Sequence, residues 1–133
     1  MALSQLTSEA LLAWLLGTPF PEPPADAWLA LHSGAQPDLG NEIKGWAGGD
    51  RIRVTAADFA AAHQGEMGCR ERVNSRALLL GVHSSSQTVQ SFGLWDAAID
   101  GNLLLGSDVD PGVTVNAGDP PVFLTGDLAL RVG

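Results

Sequence analysis

Tyrosine is absent from the 133 residues, and there is one cysteine and little positive charge. Each shortage excludes something. Cys69 alone cannot form an internal disulfide, so folding in a reducing cytoplasm is expected, with Cys69 as a small core residue rather than a nucleophile. Seven Lys and Arg against fifteen Asp and Glu give a net charge of −8. That excludes a general nucleic-acid binder, whose phosphate contacts need clustered cations. No apolar run is long enough to cross a bilayer, so no membrane partner is expected. Leu11 to Leu16 is too short for the apolar part of a secretory signal, and no Lys or Arg precedes it.

Catalytic signatures are missing as well. His32, His63 and His83 lack the spacing of metal ligands. No Gly-x-Ser-x-Gly elbow occurs. The glycine-rich Gly45 to Asp50 lacks the Lys-Ser/Thr ending of a phosphate loop. The carboxylates are scattered over turns, where Asp serves local hydrogen bonds, and no pair stands out. Ser107 to Gly112 resembles a fragment of a calcium loop, but the twelfth position from Asp108 is Asp119 rather than glutamate and the flanking helices are missing. No catalytic residue, cofactor or metal site is therefore expected. The want of tyrosine also weakens a sugar-binding surface, which would have to rest on tryptophan.

What is present points to a fold. Hydrophobic residues at 45% and charged ones at 17% suit one globular domain with a lightly charged surface, part of which an assembly could cover. Sixteen Gly and eight Pro favour short strands and many turns. Gln87 to Leu105 reads as a hairpin turning at Asp100-Gly101, a dipeptide suited to positive φ. Neither face of its first strand alternates cleanly, which predicts cover on both sides. Residues 1 to 17 read as a short helix with Thr7 as N-cap, a Leu6–Leu11 staple, a broad apolar surface from Leu11 to Leu16, and a stop at Gly17. So short a helix must dock on its own sheet or on a neighbouring subunit, and the sequence leaves both open. Pro19 to Pro24 is a stiff connector.

Further on, Trp28 to His32 predicts a strand, Ser33 to Asn41 a loop, and Arg51 to Val54 a half-exposed strand. Trp46, set among glycines, is either a plug over the core or an exposed contact. Ala56 to His63 fits helix, strand or an irregular segment. Gly65 to Asn74 is polar and expected to be exposed, Ala77 to Val82 to be a buried strand, and Ser107 to Gly112 a loop. Val113 to Val115, Val122 to Leu124 and Asp127 to Val132 complete the strands, with Pro120-Pro121 allowing only an edge or the start of one. The pattern predicts a mainly β chain: an antiparallel β-sandwich or jelly-roll-like module with a short N-terminal α-helix. Residues 1–24 would be a helix and proline-rich arm, and 25–133 the β-sandwich domain.

Six of the seven cations fall between positions 44 and 76, while Asp96, Asp100, Asp108, Asp110, Asp119 and Asp127 follow with only Arg131 against them. This split either orients subunits or is an ordinary solvated surface. The candidate interaction residues are thus Leu11, Leu12, Trp14 and Leu15 on the helix, Trp46, and the cations Arg51, Arg53, Arg70 and Arg72.

Several blocks together resemble the small phage proteins described as tail-fibre or tail-fibre-like. Leu11 to Pro24 with Trp28 to His32 is similar to the family's leucine-rich helix, proline link and aromatic-x-Ala-Leu-His strand. Asn41-Glu42 is similar to its Asn-Glu step. Phe92 to Ala98 followed by Gly101 to Leu104 is similar to its Phe-Gly-aliphatic-x-Asp-Ala hairpin, and Val113 to Asp119 with Gly126 to Leu128 to its closing strands. Between about 44 and 72, where the family has a Gly-Gly-Tyr-Ala-Arg step, the match is loose. The resemblance implies a non-enzymatic structural protein of a bacteriophage virion, made in the host cytoplasm, as an oligomeric module of the tail or tail fibre. It also leaves a capsid cement or decoration protein stabilising the head as an alternative. A host-glycan-binding module resting on Trp46 or Trp95 is a weaker one. The implied partners are further copies of the chain and other virion proteins, of the tail and baseplate or the major capsid protein.

Overall fold

The computed structural model describes residues 2–65 and 69–132. Among these the chain forms ten strands: β1 (Ala2–Leu3), β2 (Ala27–His32), β3 (Arg51–Val54), β4 (His63–Gln64), β5 (Arg70–Val73), β6 (Leu78–Leu79), β7 (Gln87–Trp95), β8 (Leu103–Val115), β9 (Val122–Phe123) and β10 (Ala129–Val132). Helix α1 (Gln5–Leu15) follows β1. Every pairing among the described residues is antiparallel. A five-stranded sheet runs β1-β8-β7-β2-β3, beside a three-stranded sheet β10-β5-β4 and a two-stranded sheet β6-β9. No closed barrel forms among the described residues, and the mainly β, antiparallel reading with one N-terminal helix holds.

One hydrophobic core joins the three sheets: Leu29, Leu31 and Phe92 of the large sheet meet Leu78 of β6, with Leu80 and Leu128 beside the smaller sheets and Trp46 and Phe59 from the loops. Alternation along β2 sends Leu29 and Leu31 into this core and Ala30 and His32 to the opposite face. That face is covered too, since Ala30 and His32 have no exposed surface. Burial on both sides is why β7 lacks a clean period of two.

The hairpin stands where the sequence placed it. Asp100 and Gly101 both have positive φ, 54° and 77°. The reversal is not a two-residue turn, however. It is the longer loop Asp96–Asn102, because Asp96 staples it: the Asn102 amide donates to Asp96 Oδ1 at 2.7 Å and its Nδ2 to Oδ2 at 3.0 Å. Ser107 to Gly112 is not a loop but part of β8. The register jumps from Val89↔Val113 to Ser91↔Asp108, so β8 carries extra residues there as a bulge. A bulge tolerates Pro111, which has no amide hydrogen for the ladder.

Three further expectations are corrected. Helix α1 starts at Gln5, capped by Ser4, whose Oγ accepts from the Thr7 amide at 3.1 Å. Thr7 is therefore inside the helix, and a Leu6–Leu11 staple has no role. The preceding β1, too short to show a period, pairs with Leu105 and Gly106. At the other end Gly17, at φ 98°, and Thr18 donate to Trp14 and Ala13 carbonyls, the paired bonds of a glycine stop. Ala77 to Val82 alternates rather than being buried throughout: Leu78 and Leu80 are in the core while Leu79 is 58% exposed. In Gly65 to Asn74, positions 66–68 lie outside the described residues, and Asn74 is wholly buried instead of exposed. Ala56 to His63 is irregular, with a 3-10 turn over Ala56–Asp58 and a short β4.

Candidate interaction surface

The covered face of the large sheet holds a polar centre. Trp95 Nε1 donates to His32 Nε2 at 3.3 Å, and the two rings stack with centroids 5.8 Å apart. Because Nε2 accepts, the His32 proton sits on Nδ1, which donates to Asn41 Oδ1 at 2.8 Å. Next to it Arg51 forms a forked pair with Glu42, Nε to Oε2 at 2.8 Å and Nη2 to Oε1 at 2.7 Å. Its Nη1 donates to the carbonyls of Ala97 and Asp100 at 2.6 and 2.9 Å. The guanidinium lies 4.6 Å from the centre of the Trp95 ring. The close packing demands Gly93, where an added Cβ would stand 2.8 Å from Trp95 Nε1 and 2.9 Å from His32 Nε2.

The blocks Trp28–His32, Asn41-Glu42 and Phe92–Ala98 thus converge on one buried cluster. Each polar member is matched, and no buried side-chain nitrogen or oxygen among the described residues lacks a partner. The cluster welds the loop from Ser33 to Glu42 and the hairpin tip onto the sheet. It offers no open acid, base or nucleophile.

Burial pushes the His32 pKa below its ordinary value, outweighing the Asn41 bond and the Glu42 charge, which act the other way. The unfolded chain takes up this proton near pH 6.5, the folded chain only lower. His32 therefore contributes stability that is complete above about pH 6.5 and lost as pH falls through the folded value. Melting temperature should drop between about pH 7.5 and about pH 5, and His32→Gln should flatten that slope. Parallel slopes for the two proteins would remove His32 from the account. Two carboxylates respond only in more acid solution. For Asp58, burial alone would raise the pKa, but the Arg76 and Thr55 bonds together bring it below the usual range. Glu71 is lowered chiefly by its hydrogen bond to Arg131.

The surface carries the rest. Leu12, Trp14, Leu15 and Leu16 of the helix region are 61%, 51%, 64% and 89% exposed, and α1 has no buried residue at all. Leu11 is half-buried. Trp14 leans on Phe20 with centroids 5.8 Å apart.

Other candidates are placed differently. Trp46 is buried, donating from Nε1 to the Ile43 carbonyl and packing edge-on against His83, so it is the plug and presents no surface contact. Arg51 is buried in the polar centre. Arg53 is exposed and pairs with Asp26 at 2.7 Å. Arg70 donates to the Ala62 carbonyl, and Arg72 to those of Ala56, Ala60 and Phe59. A glycan platform on Trp46 or Trp95 is not formed, since each is 3% exposed.

The chain's similarities agree with this reading. The model of a family described as "Podophage GP4 fiber I protein gp80" matches residues 2–131. The chain belongs to that fibre family. No match was found among curated proteins. As a gp80-family fibre protein it is a structural component of the phage virion and not an enzyme, and it associates with other virion proteins. The family decides for the fibre over the head. In this fibre protein the sealed cluster of His32, Asn41, Glu42, Arg51 and Trp95 fixes a shape. Sequence reasoning missed Arg51 and Asn74 as buried residues. The one available signal was the joint occurrence of Asn41-Glu42 with an arginine-led strand and a tryptophan-ended one.

Proposed function

We propose that the chain is a rigid, self-associating module of a podophage fibre, joined to its neighbours through α1 and the proline-rich arm. The observation that carries this is the unburied helix. A helix apolar over most of its circumference is stable only when covered, and eleven residues are too few to hold a helix in water unaided. The arm over 18–25, stiffened by Pro19, Pro21, Pro23 and Pro24, leads from α1, which β1 ties to the edge of the large sheet, to β2. Arg53 and Arg70, exposed on the body, are secondary contacts that tune the approach of a neighbour rather than its strength.

Light scattering tests this directly. The intact chain should exceed its 13.8 kDa monomer mass. Changing Leu12, Leu15 and Leu16 together to serine should return it to the monomer while shifting stability by only about 0.5–1 kcal/mol, as for exposed positions. A monomeric intact chain at high micromolar concentration would end the self-association reading.

A further inference from the structure

We propose that α1 of one copy docks in an apolar groove at the far end of the β7–β8 hairpin of the next copy, so that the module joins head to tail. This rests on the self-association reading and names the surface that receives the helix.

The groove has a volume of about 220 Å³ and lies between the end of β8 and β9. Its walls include Val109, Val113, Val115, Pro121, Val122 and Phe123, and no residue of α1 lines it. Val113 and Val122 are 49% and 47% exposed. Leu79 pairs with Val122 across the two-stranded sheet and extends the apolar rim. Strand β9 pairs only with β6 among the described residues, so its other edge faces the groove without ladder bonds.

Helix and groove sit at opposite ends of the same strand. The helix is rooted at the start of β8, where β1 pairs with Leu105 and Gly106 and the Ser4 amide donates to the Leu104 carbonyl. The groove begins at Val109, within the bulge, and its exposed wall at Val113 lies on the order of 20 Å from that root at strand rise. Those bonds keep a helix about 16 Å long at its own end of the molecule. A copy that presents α1 at one end and the groove at the other leaves both surfaces for neighbours, and in the head-to-tail arrangement a different neighbour covers each. Such a contact is heterologous, so it propagates or closes into a ring.

The match is one of shape. Leu12, Leu15 and Leu16 have the spacing by which a helix lays one face into a groove. On that face the three leucines leave roughly 400 Å² accessible, about half the ~800 Å² each partner gives a standard interface, so each joint is small. The helix has neither Lys nor Arg, so its docking buries no cation.

The experiment uses two full-length variants that break opposite halves of the contact. One carries Leu12→Asp and Leu15→Asp, the other Val113→Lys and Val122→Lys. All four positions are exposed, and circular dichroism with thermal melting confirms that both proteins fold. Each alone should be monomeric, with association roughly a hundredfold weaker or more. Mixed in equal amounts, they should form a complex of twice the 13.8 kDa chain mass and no larger, since only one intact helix and one intact groove remain. A cysteine pair, Leu15→Cys with Val113→Cys in a Cys69→Ser background, should cross-link between copies on oxidation. If the helix variant is monomeric while the groove variant associates like the intact chain, helices meet elsewhere and this docking is overturned, with self-association intact. If the intact chain is itself monomeric, the broader reading falls with it. A mixture that stays monomeric overturns the docking in either case.

Discussion

Asn74→Ala is expected to destabilise the chain by about 4 kcal/mol. The residue is completely buried and holds the C-terminal strands. Its Nδ2 donates to the carbonyls of Arg76, Phe123 and Leu124 at 3.0, 3.3 and 2.8 Å, while Oδ1 accepts from the amides of Gly126 and Leu128 at 3.1 and 2.9 Å. Alanine leaves the Leu128 amide and several carbonyls without that partner, at about 1–3 kcal/mol for each buried group that finds no other. In a chain of this size the melting temperature should fall by roughly 15 °C. Asn74→Asp should be at least as harmful, although it keeps the acceptor for both amides. Its second oxygen would face three carbonyls with nothing to donate. Urea unfolding of both variants is the measurement, and a loss below about 1 kcal/mol for alanine would show that water replaces the amide at no cost.

Arg51→Met should cost about 3–5 kcal/mol, because it strands the Glu42 carboxylate in the interior. The two side chains are 1% and 2% exposed. Glu42→Gln should cost less, since the guanidinium keeps the Ala97 and Asp100 carbonyls and the Trp95 ring. Removing both charges, with Arg51→Met and Glu42→Leu, should cost well under the sum of the single losses. Arg51→Lys should be intermediate: an ammonium cannot reproduce a two-pronged pair and two carbonyl bonds at once. A double-mutant cycle by urea unfolding reads the coupling, and additive losses would mean that the pair acts as two independent charges.

Features set by neighbours in sequence were readable: the Gly17 helix stop, positive φ at Asp100-Gly101, the strand starting after Pro120-Pro121, and the strands at Trp28 and Phe92. Features set by distant partners were not. Asn74 looks like any polar residue beside a turn, and only Phe123 to Leu128 make it a buried anchor. Arg51 looks like the outward position of a half-exposed strand, and only Glu42 and the hairpin tip turn it inward. Ser107 to Gly112 looks like a loop because Asp, Pro and Gly break strands locally, yet the long partner β7 carries the ladder past them with a bulge. Ser4 and Thr7 are both hydroxyl residues near the same helix start, and only the bond from the Thr7 amide to Ser4 Oγ decides which of them is the cap. The apolar stretch of α1 was legible from its leucines, whereas Trp46 gave no sign in sequence of which way it faced.

The Asn74 anchor also sets an order in time. Its partners lie at Phe123 to Leu128, some fifty residues downstream, so a growing chain on the ribosome cannot close it until those residues have emerged. The β7–β8 hairpin, whose strands are joined by a short loop, can pair much earlier. Helix α1 is thus made first while β9, one wall of the proposed receiving groove, is made near the last. Copies still being synthesised would carry the tongue of the joint without its socket, and elongation of the fibre would wait for finished subunits.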